Sequence, residues 1–277
     1  PMPADLTLLL MLAGVLAVAG VAAGLLAGLL GVGGGIVMVP ILYFVFGYIE
    51  GVDEAVRMHM AVGTSLAAMI PTSISSARAH HAKGAVDREL FIRWLPGIVL
   101  GVLAGVLMAA FVDGPVLMTV FAVFAAVISL HMLFGRESWR LADQLPGPMA
   151  QRGMAAGIAG VSVMMGIGGG TFTVPVLTLF GYPIHRAVGT AAAIGVIIAI
   201  PGAIGFIAGG WGAEGRPVGS LGYASLVGVA ALIPTTILAA PWGVALAHRL
   251  SRVWLRRAFA IFLGLTSLRM AASLLGW

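Results

Sequence analysis

Two glycine-rich breaks interrupt long apolar runs of this chain. The first comprises residues 31–35 (GVGGG) and the second residues 166–170 (GIGGG), which lie 135 residues further on, and a proline follows each at Pro40 and Pro175. A helix that restarts after such a break has backbone N–H groups without acceptors, and these groups and the helix dipole attract anions. The predicted binding groups are the glycines and one threonine that open the two new helices: Gly33, Gly34, Gly35, Gly168, Gly169, Gly170 and Thr171.

A single glycine cluster is more typical of close helix packing, but two matched clusters, each followed by a short apolar segment and a proline, favour a binding site. The clusters are neither a dinucleotide fingerprint nor a phosphate loop, since Ile36 stands where the former needs glycine and no Gly-Lys-Ser/Thr follows.

A second internal match follows each break. Residues 61–65 (AVGTS) correspond to residues 187–191 (AVGTA). The hydroxyls of Thr64, Ser65 and Thr190 are therefore further candidates for substrate contact. Capping of a helix start, or hydrogen bonding between helices, is an equally good explanation for these three side chains.

Two histidines occupy equivalent positions just before this second match. His59 and His185 each lie four residues before the shared glycine, so they are candidates for gates or proton relays. Arg57 and Arg186 lie beside them and could gate the site or steer anions into it. The alternatives are solvated interfacial histidines and arginines that snorkel to the membrane surface.

The composition places the chain in a lipid bilayer. Of its 277 residues 60% are hydrophobic and only 9% are charged, with a mean hydropathy of +1.08. The net charge of +5 lies in the loops, which indicates membrane topology and not nucleic-acid binding. The chain has no cysteine, no metal-binding or cofactor motif, and no carboxylate in the middle of an apolar run. These absences argue against an enzyme, a carboxylate cation site and a proton relay of Asp or Glu.

The apolar runs divide into two equivalent halves. A full crossing needs about 20 residues, so the shorter runs around the breaks are predicted to be arms of helical hairpins. The first repeat, residues 1–139, is predicted to contain a hairpin over 6–48 and helices over 55–77, 94–112 and 115–134. The second repeat, residues 140–277, is predicted to contain a hairpin over 153–182 and helices over 187–208, 221–247 and 255–276.

The Lys/Arg bias of the loops predicts the orientation. Basic residues concentrate in residues 78–93, 135–152 and 248–257, which are predicted to be cytoplasmic, while the intervening turns are acidic or nearly neutral. When the membrane crossings are counted from these loops, the two hairpins have orientations opposite to each other and both termini lie outside. The predicted fold is therefore an all-α integral membrane protein with an inverted-topology repeat.

These residues resemble the TauE/SafE family of sulfite and organosulfonate exporters. The resemblance is carried by both glycine breaks with their prolines, by residues 187–190 and by residues 76–84 (SARAHHAKG), and it covers nearly the whole chain. It implies a permease of the bacterial inner membrane whose partners are the lipid bilayer and a small sulfur-containing oxyanion. A homo-oligomer is left open.

The function expected from the residues is secondary transport of a small anion by alternating access, with export implied by the resemblance. The alternatives are an anion channel and a permease for another small anion such as a carboxylate. Neither the coupling ion nor the direction of transport follows from the sequence.

Overall fold

The chain is almost entirely helical. A computed structural model describes residues 3–30, 33–135, 140–246 and 252–275. The helices of the first half are α1 (Pro3–Leu30), α2 (Gly35–Phe46), α3 (Glu54–Ala82), α4 (Arg88–Phe111) and α5 (Gly114–Phe134). Those of the second half are α6 (Pro148–Met164), α7 (Gly170–Leu179), α8 (Ile184–Gly209), α9 (Leu226–Leu246) and α10 (Arg252–Leu274), with strands β1 (Ser220–Leu221) and β2 (Ala224–Ser225) before α9.

Five of the helices in the described ranges are long and apolar enough to cross a membrane. They are α1, α4, α5, α8 and α9. The prediction of an all-α membrane protein is confirmed. Helix α3 is long enough, with 29 residues, but its hydroxyls and histidines lower its hydropathy. It packs against α2, α5, α8 and α9, and this central position shields its polar groups from lipid.

Both glycine breaks are real interruptions. Helix α1 ends at Leu30 and α2 begins at Gly35, after Gly34 with φ +77°. Helix α6 ends at Met164 and α7 begins at Gly170, after Gly166 with φ +67°. The positive φ values explain the glycines, because other residues rarely adopt them. The restarted helices have only 12 and 10 residues, as predicted; residues 31 and 32 of the first break lie outside the described residues.

The end of α1 lies further along α3, toward the C-terminus of α3, than the start of α2 does. Ala27 accepts a hydrogen bond of 3.4 Å from the Ser76 hydroxyl. Gly35, which follows Ala27 in the chain, instead lies beside Met69. Ser76 is about 10 Å further along α3 than Met69, because an α-helix rises about 1.5 Å per residue. Helix α1 therefore runs past the middle of α3, and the chain turns back to the middle of α3 before α2 begins.

Two helix pairs join the halves in parallel. In α1, a Cβ at Gly20 would contact Thr235, and Leu25 lies against Gly243, so α1 and α9 run in the same direction. Helices α4 and α6 repeat the arrangement. Their contacts are Gly97 with Arg152, Gly101 with Ala156, and Gly105 with Gly160.

Two further pairs join the halves in antiparallel fashion. Helices α3 and α8 cross with their directions opposed, and α5 and α10 do the same. In the first pair Gly63 lies against Phe206 and Gly195 against Ser73. In the second pair the hydroxyl of Ser129 donates to the Ala260 carbonyl and that of Ser267 to the Ala122 carbonyl.

Several helices extend beyond their apolar runs. Helix α3 continues from the predicted end at residue 77 to Ala82, α4 begins at Arg88 instead of 94, and α6 begins at Pro148 instead of 153. The predicted start of a helix at Leu221 is wrong, because residues 220–225 form an antiparallel hairpin before α9. Residues 136–139, 247–251 and 276–277, which complete some predicted segments and loops, lie outside the described residues.

Candidate functional site

The starts of the two short helices meet in the middle of the protein. A Cβ built on Gly33 would lie 3.4 Å from the Cα of Gly168, and one built on Gly35 would lie 2.3 Å from the carbonyl oxygen of Gly166. The structure therefore brings together the two breaks that the sequence analysis singled out. The closeness of the backbones requires glycine at Gly35, where any side chain would overlap the opposite break.

The two short helices point away from each other from this meeting point. Gly47, at the end of α2, lies beside Arg57 near the start of α3, and Tyr182, beyond the end of α7, contacts Arg186 near the start of α8. Since α3 and α8 are antiparallel, α2 and α7 are also antiparallel, with their N-termini together. Each N-terminus carries about half a positive charge, so two partial positive charges face one another. An anion between them would relieve that repulsion.

Buried hydroxyls without partners lie at the same place. Among the described residues no acceptor is in reach of the hydroxyls of Thr171 and Thr173 in α7, Ser73 in α3 and Ser162 in α6. All four side chains are at most 4% exposed. The hydroxyl of Ser73 lies 3.4 Å from the Cβ position of Gly33, and that of Thr173 lies 3.6 Å from the Cβ position of Gly169. These donors flank the helix starts.

Backbone donors at the start of α7 are also free. In the first turn, the backbone N–H groups of Phe172 and Thr173 donate to the carbonyl of Gly169. In the described part of the chain, no backbone carbonyl accepts from the N–H groups of Gly170 or Thr171. Buried polar groups are rarely left unsatisfied, so these N–H groups and hydroxyls together indicate a position for a ligand rich in acceptors.

The other predicted hydroxyls hold the structure together. Ser65 donates to the Gly166 carbonyl at 2.8 Å and so ties α3 to the second break. Thr64 accepts from the backbone N–H of Ser225 at 2.9 Å. Thr190 accepts from the N–H of Asp87, also at 2.9 Å. Thr64 and Thr190 therefore play the same part in each half, since Ser225 and Asp87 precede the equivalent helices α9 and α4.

The two predicted arginines lie at the far ends of the short helices. The guanidinium of Arg57 lies 5.6 Å from the centre of the Tyr43 ring, and that of Arg186 lies 5.9 Å from the centre of the Tyr182 ring. Twelve residues of helix separate Arg57 from Met69, which is about 18 Å. Neither arginine contacts the glycine breaks. Each occupies the negative end of a helix dipole, where a cation is stabilised.

The two histidines differ in environment. The ring nitrogen Nε2 of His59 lies 3.1 Å from the carbonyl oxygens of both Ala109 and Val112, so His59 links α3 to the end of α4. Its ring also packs 5.0 Å from that of Tyr223, beside an open crevice between α4, α8 and the strand hairpin. His185 is exposed at the start of α8. The histidines thus lie at opposite ends of the α3–α8 pair, away from the breaks.

Comparison with known proteins decides what kind of molecule this is. The family described as "Sulfite exporter TauE/SafE" matches residues 16–270. The chain belongs to this family. It is accordingly a multi-pass membrane transporter and not an enzyme.

Relatives of this TauE/SafE transporter carry matching descriptions. A "Probable membrane transporter protein" of Haemophilus influenzae is 33% identical over 91% of this chain and 95% of its own length. One from Methanocaldococcus jannaschii is 28% identical over 94% of this chain and 96% of its own length. A Bacillus subtilis relative with the same description is 28% identical over 71% of this chain and 78% of its own. No solved structure matches this chain.

A charged cluster at the start of α8 was not predicted. The Asp87 carboxylate lies 2.9 Å from the Arg186 guanidinium, accepts a hydrogen bond from the Tyr182 hydroxyl, and caps α4 by accepting from the Leu90 N–H at 3.1 Å. The Asp87 side chain is only 12% exposed. This cluster fastens the loop between α3 and α4 to the end of the second hairpin. It gives Arg186 a structural role at this end of the TauE/SafE transporter.

The cluster shifts the acidity of both its acid groups. Burial would raise the pKa of Asp87, but hydrogen bonds from Tyr182 and Leu90 and the charge of Arg186 outweigh it and hold that pKa below its ordinary value. Burial, followed by the hydrogen bond to Asp87, raises the pKa of the Tyr182 hydroxyl. Asp87 is therefore a carboxylate and Tyr182 a neutral donor at physiological pH.

Asp87→Asn tests this cluster. Asparagine can still cap α4 but loses the ion pair, so we expect a melting temperature a few degrees lower at pH 7. The folded-state pKa of Asp87 is depressed, so its stabilisation is present above the unfolded pKa of about 4 and is lost as the pH falls through the folded value. The melting temperature of the wild type should therefore approach that of the variant as the pH falls below about 4.

The matched control is Asp143→Asn. Asp143 pairs with Arg140 at 3.5 Å, but the two side chains are 88% and 59% exposed. Solvent-exposed pairs contribute little, so this variant should melt like the wild type. Equal melting of the wild type and Asp87→Asn at pH 7 would show that the cluster does not fasten the two segments.

Proposed function

We propose that this transporter exports a small sulfur-containing oxyanion, such as sulfite or an organosulfonate, by alternating access. The observation that carries the proposal is the meeting of two helix N-termini beside buried, unpartnered hydroxyls. Both features attract negative charge, and no carboxylate is among these groups to balance the charge of a bound cation. The sulfur chemistry of the substrate comes from the family description.

The proposed binding groups are those that surround the meeting point. The backbone of the six predicted glycines forms the cradle, Thr171 and Thr173 donate from α7, and Ser73 donates from α3. Thr64, Ser65 and Thr190 support this cradle by holding the breaks and the neighbouring helices. A tetrahedral or pyramidal oxyanion suits this set, because its several oxygens can accept from donors on different sides at once.

The proposed mechanism requires the halves to have opposite orientations. The antiparallel crossing of α3 with α8 and of α5 with α10 supports an inverted repeat, since these are equivalent helices of the two halves. The short helices touch, so binding requires the breaks to part. His59 would then gate one end, and His185 with Arg186 and its cluster the other. The predicted location is the bacterial inner membrane with both termini outside.

Flux measurements in proteoliposomes test the proposal. Purified protein in vesicles should move sulfite, or a small organosulfonate, faster than protein-free vesicles, with saturation at high concentration. Sulfate, thiosulfate and acetate serve as comparison anions and would reveal a different substrate class. Wild-type protein that moves no sulfur oxyanion would overturn the proposal, and currents far above carrier rates would show a channel instead.

Gly34→Leu and Gly169→Leu should each abolish this flux. Gly34 has φ +77°, which disfavours any side chain, and a Cβ there would lie 2.7 Å from the Ala23 carbonyl. At Gly169 a side chain would press on Ile194 and Ile198 and push the start of α7 out of place. Western blots of membrane fractions check that the variants still insert. Normal flux in either variant would show that the breaks do not position substrate.

A further inference from the structure

The two halves differ at one pair of positions that flank the meeting point. In the register that pairs Thr64 with Thr190, Met69 of α3 corresponds to Gly195 of α8. Both residues lie in the middle of their helices, where α3 and α8 cross. One half therefore carries a long side chain at the position where the other half carries none.

Met69 fills the space over the first break. It is fully buried, its Sδ lies 2.5 Å from the Cβ position of Gly35, and its Cε lies 3.0 Å from that of Gly33. The Ser65 hydroxyl is 4.0 Å from the same sulfur. An unbranched methionine has three rotatable bonds, so its end can swing aside when a ligand enters without displacing the backbone.

Gly195 leaves room for a methyl group beside Ser73, which lies one helical turn from Met69 on α3. The nearest atoms to its Cβ position are the hydroxyl oxygen of Ser73 at 3.4 Å and the Cβ of Ser73 at 3.8 Å. These are ordinary contact distances, so a methyl group fits there but lies directly against an unpartnered, buried hydroxyl. The missing side chain of Gly195 therefore leaves this small space next to the Ser73 hydroxyl.

We infer that Met69 and Gly195 together set the size limit of the transported anion. The inference rests on the proposed function and deepens it. The oxyanion group binds at the helix starts, and any carbon chain attached to it extends between Ser73 and Gly195, because Met69 fills the space beside Gly35. Ser73 is then a substrate-contacting residue, and the accepted substrates are oxyanions with a short substituent.

Size selectivity in two variants tests the inference. Methane-, ethane-, propane- and butanesulfonate are added as competitors of sulfite flux in proteoliposomes. We expect Met69→Ala to accept longer chains than the wild type, with inhibition by the first excluded chain improved about tenfold, because one methylene in a close-fitting pocket changes recognition by about that factor or more. Gly195→Ala should weaken the longest accepted chain by about tenfold, and should weaken sulfite less than that chain.

Gly157→Ala is the control for the added methyl, since nothing lies within 4 Å of a Cβ at Gly157. Melting temperatures in detergent show whether the variants fold. If truncation of Met69 lowers stability too far, the chain-length profile of Gly195→Ala still tests the inference. If the wild type transports these anions and both Met69→Ala and Gly195→Ala keep its chain-length profile, the inference alone is overturned. A wild type that moves none of these anions would overturn the proposed function instead.

Discussion

Gly35→Ala is expected to reduce anion flux to the level of empty vesicles. The added methyl would lie 2.3 Å from the carbonyl oxygen of Gly166 and 2.9 Å from the Cα of Ile167. Both are backbone atoms, and Ser65 holds the Gly166 carbonyl in place, so neither can move aside cheaply. Overpacking a well-packed interior costs about 1–3 kcal/mol, and relief of the clash separates the two helix starts. Flux of sulfite in proteoliposomes is the measurement.

The same substitution elsewhere provides the comparison. Gly157→Ala places an equal methyl on α6 where no atom lies within 4 Å, so its flux should match the wild type and its melting temperature should be equal or slightly higher. Alanine is also the better helix former, which removes loss of helix propensity as an explanation for the defect at Gly35. Wild-type flux in Gly35→Ala would mean that transport does not depend on the contact between the breaks.

The glycine breaks could be predicted because their signal is local. A run of glycines by itself marks where a helix must stop, and helices α2 and α7 begin at Gly35 and Gly170, the last glycines of the two predicted breaks. The ends of the other helices were harder to predict. An apolar run ends at the first charged residue, whereas the hydrogen-bonded helix continues into the membrane interface. Helix α4, for example, already begins at Arg88.

The strand hairpin before α9 was missed although a signal existed. Leu221 and Ala224 belong to an apolar run, which hydropathy joins to the following helix. The turn between them contains Gly222 with φ +57°, a value that a two-residue hairpin turn commonly requires at its first central position. Glycine spacing, with Gly219 also at positive φ, would have separated the hairpin from the helix.

The partners of polar side chains could not be predicted from the sequence. Whether Thr64 binds a substrate or caps α9 depends on how α3 crosses a helix about 160 residues away, and local patterns carry no such information. The same holds for Asp87, whose partner Arg186 comes from the other half. Nothing in the local sequence distinguishes Ser73 from its neighbouring serines, and only the α3–α8 crossing places it beside Gly33 and Gly195.

Removal of the two unpartnered hydroxyls of α7 should have opposite effects on stability and transport. Most other threonines in the described helices donate to a carbonyl three or four residues earlier, as Thr72 does to Ala68 and Thr178 to Pro175. Thr171 and Thr173 do not, and they are 4% and 0% exposed. An unsatisfied buried hydroxyl costs about 1–3 kcal/mol, so Thr171→Val and Thr173→Val should raise the melting temperature of the empty protein.

Transport should respond in the other direction. A hydrogen bond to a charged group contributes about 1.5–3 kcal/mol, so loss of either donor should raise KM for the anion about tenfold or more. Thr178→Val is the control on the same helix, because its hydroxyl donates to the Pro175 carbonyl at 2.8 Å. That variant should lose a little stability and keep its KM. If the valine variants were stabilised with unchanged KM, the hydroxyls would be packing groups without a ligand, and anion binding by these two side chains would be excluded. Stabilisation together with weaker substrate binding is the combination that only a ligand site produces.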